Sequence, residues 1–405
     1  MRIQLWSYNY DPEPQGCAPL SRMLALELSS RGHEVLVVCA HPHYPEPRWG
    51  MRLRPYRERR DGIPILRLPL WIGRENGIER MRQELSFATM QTLVSPLLPA
   101  TDAIVAVTPC FPALAAAMAF SRVRSTPWIM WLQDIVTDGA ATTGLIDDGP
   151  MLKAAQRFER MAYDSASRVV VISEAFRQNL LAKGVPGEKI VRIFNPSTRH
   201  TSQPVDLDGA STDPRILAMG NIGHSQGLDR IVDAFQESTE LDALGAQLVI
   251  AGHGVAADEV HARIRSERVH MPGVLYGEQL EPELRGASIG LVSQRADIQE
   301  FNLPSKLMNY MAYGIPVIAS VNPDCETARI VLESGAGWVT DAQNPSDFAS
   351  IAAARLRDSE ALRSAGRAGF AYAKENFHPS AVAARFERVL IDITTRLNGF
   401  SPPSH

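Results

Sequence analysis

The strongest constraint on this chain is an alternation. Six short runs rich in Val, Ile and Leu (RIQLWSY, EVLVVCA, AIVAVT, PWIMWL, RVVVIS and KIVRIF) occur in the first half, most followed by stretches of helical pattern such as the helix predicted from about Leu20 to Ser30. Each run is apolar on both faces, as a strand must be when helices cover its sheet on both sides. That pattern specifies parallel strands in a doubly wound α/β architecture. After Asn195 the stretch PSTRHTSQPVDLDGASTDP, 196–214, loses periodicity and concentrates Pro, Ser, Thr, Asp and Gly, which marks a linker. A second series follows, with strands at RILAMG, AQLVIAG, GVLYG, ASIGLVS, IPVIAS and GWV and helices near 227–237, 255–266, 304–313, 326–333 and 346–356. The expected organisation is a first domain over 1–197, a linker at 198–214, a second domain over 215–378, and a helix at 379–398 that packs back on the first. Two such halves imply a cleft, since open α/β sheets bind ligands outside the carboxyl ends of their strands.

Composition narrows the partners. A chain of 405 residues, 45% hydrophobic, is long enough for two cores, and a formal charge of -4 gives no reason to expect nucleic acid. Cys17, Cys39, Cys110 and Cys325 lie far apart with no CxxC pair, so neither a disulfide framework nor a zinc site is signalled. The first residues turn polar too early for a signal peptide, and no run approaches the roughly 18 apolar residues of a membrane helix. A reducing, cytoplasmic location is expected.

Charge at one helix start is the sharpest local feature. In FNLPSKLMNYMAYGIPVIAS, Pro304 and Ser305 form the approach and cap of a helix that Gly314 and Pro316 end, and Lys306 sits in its first turn. A cation there opposes the helix dipole by about 0.3–1 kcal/mol, whereas an anion held between the lysine and the first-turn amides reverses the sign. In the same half, GNIGHSQGLDRIVDAF carries Gly220, Gly223 and Gly227 before a helix, where amides can turn toward phosphate oxygens. His224 is either a further donor or a solvated loop residue. The glycine spacing is not the dinucleotide GxGxxG, and the GHG of 252–254 lacks its third glycine, which disfavours a nicotinamide enzyme. In the first half, DPEPQGCAP offers Gly16 for close backbone approach, or is an ordinary turn. Asp134, after PWIMWL, either contacts a substrate or caps a loop. Asp147 and Asp148, beside Gly149, fit a solvated turn better than a metal site.

In order and spacing these pieces resemble the retaining glycosyltransferases of family 4, GT-B fold, and in particular the bacterial capsule, O-antigen and colanic-acid branch. The resemblance runs through YDPEPQGCAP, WLQDIVTD, VVVISEAFRQNLLAKGVPGEKIVRIFNPS, GNIGHSQGLDRIVDAF, LVIAGHG, LPSKLMNYMAYGIPVIAS and ESGAGWV. It implies transfer of a hexosyl or N-acetylhexosaminyl group from a UDP- or GDP-sugar, held by the second half, to a hydroxyl of a glycan, lipid-linked or small-molecule acceptor, held by the first. By the same resemblance Asp134 and Lys306 are catalytic. Gly16, Gly223, His224, Gln226, Gly227, Gly277, Glu278, Leu303, Pro304 and Ser305 contact the donor, and no metal or other cofactor is expected. Three positions depart from the family: Cys17 replaces a glycine, His224 and Gln226-Gly227 stand where a basic residue and a Lys-Gly pair are usual, and the paired glutamates are Phe301 and Asn309. Asn309 can still reach a ribose hydroxyl, and Glu300 or Asn302 can substitute at the sugar.

One region stands apart. From Arg48 to Arg82 there are ten arginines against four acids, with Trp49, Tyr56 and Trp71 among them, leading into IERMRQELSFATMQTLVSPLL. Residues 48–98 suit either an anionic membrane surface carrying a lipid-linked acceptor or a solvated loop followed by a core helix. Rival readings of the whole chain are a nucleotide-sugar 2-epimerase and a non-catalytic sugar-nucleotide binder. A periplasmic solute-binding protein is disfavoured by the absence of a signal peptide.

Overall fold

The computed structural model describes residues 1–14, 16–44, 49–73, 77–135, 149–207, 213–275, 277–298 and 303–397, so Glu300, Phe301, Asn302 and the Asp147-Asp148 pair lie outside the described residues. The chain divides into two compact units, one of Met1–Asn195 with Pro379–His405, the other of Pro196–His378.

The first unit is built from β1 (Arg2–Ser7), α1 (Ala18–Ser30), β2 (Glu34–Ala40), β3 (Tyr56–Arg60), β4 (Ile63–Leu68), α2 (Gly77–Val94), β5 (Ala103–Val107), α3 (Leu114–Arg124), β6 (Trp128–Leu132), α4 (Pro150–Ser165), β7 (Arg168–Val171), α5 (Glu174–Ala182) and β8 (Ile190–Arg192). Its sheet runs β3-β4-β2-β1-β5-β6-β7-β8, with every pairing parallel except that of β3 with β4. The central strands β5 and β6 are buried at every position, which is why they read as continuous apolar runs.

The arginine-rich segment departs from the loop expected there. YRERR and IPILRL form a hairpin around Asp61-Gly62, both at positive φ (49° and 81°), the geometry that Asp-Gly favours in a two-residue turn. Charged β3 blunts the edge of the sheet. Arg67 on β4 is fully buried: its guanidinium donates to Glu58 Oε1 (2.9 Å), to the Ala40 carbonyl (3.3 Å) and to the Asp11 carbonyl.

The second unit contains β9 (Arg215–Asn221), α6 (Leu228–Glu237), α7 (Thr239–Ala243), β10 (Gln247–His253), α8 (Ala257–Ala262), β11 (Val269–Gly273), α9 (Glu281–Arg285), β12 (Ile289–Ser293), α10 (Ser305–Tyr313), β13 (Val317–Val321), α11 (Glu326–Ser334), β14 (Gly337–Asp341), α12 (Pro345–Leu356) and α13 (Ser359–Asn376). Its parallel sheet runs β11-β10-β9-β12-β13-β14. The strand expected at GVLYG lies earlier, at VHMPG. This is an edge strand, where two of the five positions are exposed and Pro272 costs no interior ladder bond. Gly252 and Gly254 of the GHG stretch are explained by packing: a Cβ at Gly252 would stand 1.8 Å from the Gly220 carbonyl oxygen, and one at Gly254 2.3 Å from that of Ile222. The irregular stretch after Asn195 is tied to this unit, with Ser197 N–H donating to the Phe377 carbonyl (2.8 Å) and Val205 N–H to that of Tyr313 (2.7 Å).

The chain then returns to the first unit as α14 (Pro379–Leu397), which packs on α1 and buries Phe386, Leu390 and Ile393 in that unit's core. The Phe386 ring meets Trp131 edge-on with centroids 4.9 Å apart.

Candidate functional site

In the second unit the strand order reverses between β9, whose successors run to one edge, and β12, whose successors run to the other. This is the switch point at which open α/β sheets leave a crevice. Here the crevice is enlarged: β9 and β12 pair only at Ile216–Ile289 and Leu217–Gly290, near the start of both strands. Beyond that point the inner edge of β9 is satisfied by a side chain. Tyr310 of α10 accepts from Met219 N–H (3.0 Å) and donates to the Leu217 carbonyl (2.8 Å). The close approach of its ring requires Gly290, where a Cβ would lie 2.5 Å from Tyr310 Cγ.

Lys306 lies one turn before Tyr310 on the same face of α10, so the strut that pins Tyr310 to β9 also places the lysine stem beside Gly220, with Cε 4.0 Å from where a Cβ would project. Among the described residues no acceptor is bonded to its ammonium. Burial without a counter-charge pulls its pKa from 10.5 down to about 8. The helix cap differs from the sequence expectation: Pro304, with φ -62° and ψ 128°, is the cap and Ser305 is the first helical residue, so no side chain covers the first-turn amides. Leu303 is buried just before them.

The glycine loop is folded on itself. Gly223 N–H donates to Gln226 Oε1 (2.7 Å), Gln226 N–H to the Gly223 carbonyl (3.0 Å) and Gly227 N–H to the His224 carbonyl (3.3 Å), so these three amides are spent inside the turn instead of facing a phosphate. Gly227 is left-handed (φ 58°) and caps α6. His224 is exposed, with Nδ1 3.3 Å from Glu259 Oε2. Gly277 (φ 52°) and Glu278 begin an exposed single turn before α9. Asn309 is buried; its Oδ1 accepts from Arg199 N–H (3.2 Å) and its Nδ2 lies 3.3 Å from Thr198 Oγ1, so it braces the 198–199 segment.

In the first unit the order reverses between β1 and β5. The loops leaving these strands are joined there by Cys17, whose thiol donates to the Thr108 carbonyl (3.2 Å). Burial, and then the nearby Asp134 carboxylate, push that thiol up to about 12. Gly16 beside it is left-handed (φ 66°), with open space where a Cβ would be. Asp134, exposed at the carboxyl end of β6, has its pKa raised from the ordinary aspartate value by desolvation, opposed by the Ile135 N–H and by the charge of Arg80 on α2. Its neighbour Gln133 is locked by a reciprocal amide pair with Asn195 (2.9 and 2.8 Å).

Sequence reasoning misses two features of this edge. Arg80, whose charge acts on Asp134, reads in the sequence only as part of a basic run. Glu13, buried within DPEP, accepts from His43 N–H (2.7 Å), Tyr44 N–H (3.0 Å) and Asn9 Nδ2 (2.8 Å), and lies 3.2 Å from His43 Nδ1. The available signal is the pair of histidines in HPHYP directly after β2, at a strand end where such loops carry function. Among the described residues no three His, Cys, Asp or Glu side chains gather as metal ligands, and no helix is long and apolar enough to cross a membrane.

Two family profiles match in succession: "Glycosyl transferase 4-like domain" over residues 15–196 and "Glycosyl transferases group 1" over 213–358. WcaI of Escherichia coli K12, a glycosyl transferase named for colanic acid biosynthesis, is 28% identical over 337 residues, covering 78% of this chain and 82% of its own. Among solved structures, sucrose-phosphate synthase from Thermosynechococcus elongatus superposes with TM-score 0.71 at 16% identity, covering 98% of this chain and 100% of that one. HepE of Anabaena in complex with UDP superposes with TM-score 0.67 at 15% identity, covering 97% and 100%. With two Rossmann-like units and both profiles in order, the chain belongs to the family 4 glycosyltransferases of the GT-B fold.

Proposed function

We propose that this glycosyltransferase moves a hexosyl or N-acetylhexosaminyl group from a UDP- or GDP-sugar to a hydroxyl of a glycan, lipid-linked or small-molecule acceptor. In this reading the anomeric configuration is retained and no metal takes part. The observation that carries the proposal is the Lys306 ammonium, which has no counter-charge among the described residues and sits beside Gly220 at the splayed β9–β12 switch point. Breaking the sugar–phosphate bond delivers negative charge to the leaving diphosphate. A cation and uncapped helix amides already in place stabilise that charge without reorganisation, and in many enzymes such preorganised electrostatics accounts for most of the rate enhancement. Asp134, with its raised pKa, contacts the sugar or orients the acceptor hydroxyl, whose proton passes to the departing phosphate during front-face attack. HepE has also been solved with UDP-glucose, which supports a nucleotide-sugar donor here.

The reading includes peripheral docking at the inner face of a membrane. The outward face of α2 carries Ile78, Met81 and Leu85, which are 68%, 46% and 49% exposed, with Arg82 on the same face. Trp71, 58% exposed, is held beside this helix by its N–H bond to Ser86 Oγ (2.8 Å). Apolar groups and a cation on one solvent face fit an anionic bilayer surface.

The test is incubation with UDP- and GDP-sugars, with and without a lipid-linked saccharide acceptor, followed by NMR of the product. The expected product keeps the donor's anomeric configuration, its rate is unchanged by a chelator, and the Lys306→Ala chain forms it at least about 100-fold more slowly. An inverted anomer overturns retention. An epimerised donor formed without acceptor establishes the 2-epimerase instead.

A further inference from the structure

A diphosphate carries two or more negative charges, and Lys306 supplies one positive charge. The loops leaving the two switch-point strands, 220–227 and 294–306, contain only one other lysine or arginine, Arg295. His224 in the first loop is turned toward Glu259. Residues 293–295 are tied to the glycine loop at three points, two of them made by Arg295. Its N–H donates to the Ser225 carbonyl (2.8 Å), the nearby Ser293 Oγ donates to the Gln226 carbonyl (2.5 Å), and its own Cγ lies 3.2 Å from where a Cβ at Gly227 would be. A side chain at Gly227 would crowd that stem, so the glycine lets the arginine lie across the start of α6. A guanidinium at a helix N-terminus is badly placed against the dipole unless an anion lies between them. In this structure two carboxylates act on the guanidinium: Asp297 takes it through Nε–Oδ1 and Nη2–Oδ2, both 3.0 Å, and Asp229 in the first turn of α6 adds its charge, a place that a phosphate oxygen would share. The Asp297 bond uses the Nε–Nη2 edge of the planar fork, and among the described residues no acceptor is bonded to Nη1.

We propose that Arg295 is the second cation of the diphosphate site, a donor-binding residue held across Gly227 and oriented by Asp297. It does from the β12–α10 loop what the glycine loop, having no lysine or arginine and with three of its amides already spent, cannot do. This rests on the reading of Lys306 as a diphosphate ligand. Arg295 is half-exposed, so replacing it leaves the core intact.

The experiment is calorimetric titration of the full chain with inorganic pyrophosphate at pH 7, using wild type, Arg295→Ala, Arg295→Lys and Lys306→Ala. UDP and uridine serve as a second pair of probes. Arg295→Ala is expected to weaken pyrophosphate and UDP about tenfold while leaving uridine unchanged, with Arg295→Lys falling between because it keeps the charge and loses the fork. Pyrophosphate binding that weakens in Lys306→Ala and is unchanged in Arg295→Ala overturns this proposal alone. Equal weakening of UDP and uridine also overturns it, by showing a structural effect. Binding unaffected by either substitution, or absent from wild type, overturns the reading of the site itself.

Discussion

Lys306 makes the site's charge a function of pH. Because burial lowers its pKa to about 8, the native chain gives up this proton near pH 8, whereas the unfolded chain holds it to 10.5. Between those values the unfolded state binds more protons, so the lysine's contribution opposes folding below pH 8 and relaxes as pH rises toward 10.5. A bound diphosphate stabilises the ammonium and moves its pKa back up. Affinity for the tighter-binding of UDP and GDP is therefore expected to be flat below about pH 8 and to fall up to about tenfold per pH unit above it. Calorimetry across roughly pH 6.5–9.5 checks this, and Lys306→Met is expected to remove the slope. The lysine was legible in the sequence because a cation in the first turn of a helix contradicts a local rule. Tyr310, which positions it, was not: its partners Leu217 and Met219 are 93 and 91 positions away, and only the tertiary fold shows that an ordinary apolar-face tyrosine ends on a strand edge. Asn309 could be read as a polar group near the donor, yet its bonds to Thr198 and Arg199 depend on where the irregular segment after Asn195 docks.

At the scale of elements, burial decided what could be read. Strands covered on both faces announce themselves as apolar runs, and β5, β6, β12 and β13 lie within a few residues of where the sequence puts them. Exposed edge strands have no such signal. YRERR pairs as β3 although most of its side chains face water, and the available clue was the Asp-Gly that follows it. Helix α2 illustrates the opposite limit. Its buried face of Gln83, Phe87, Ala88 and Gln91 is partly polar, while Ile78, Met81 and Leu85 lie exposed, so its hydrophobic pattern does not say which side meets the core. If that outward face docks on a bilayer, the chain is expected to float with vesicles containing phosphatidylglycerol at low salt and to release in high salt. Substituting Ile78, Met81 and Leu85 with Ser should abolish flotation, and replacing Arg82 should weaken it by about 1 kcal/mol. Equal recovery of wild type and the triple variant with these vesicles overturns the docking surface.

At the scale of the whole molecule, each unit has its own sheet and core, but the first borrows a helix from beyond the second. Fully burying Phe386, Leu390 and Ile393 of α14 contributes about 1.5–3 kcal/mol each, together comparable with the roughly 5–15 kcal/mol that holds a typical domain. A chain stopped at His378 is therefore expected to lose the first unit's cooperative unfolding and its Trp131 fluorescence signature while the second unit still melts. Unchanged unfolding by calorimetry would overturn that expectation. The return helix, with its packing on the first half, was expected from the helical pattern after Pro379, since apolar residues at helical spacing show that a face must be covered. The discontinuity also sets an order of assembly. As the polypeptide leaves the ribosome, everything the downstream sheet needs has emerged while the upstream one still lacks Phe386, so the half made first is finished second, and Trp131 lacks that ring contact until translation has crossed the intervening 183 codons, 196–378.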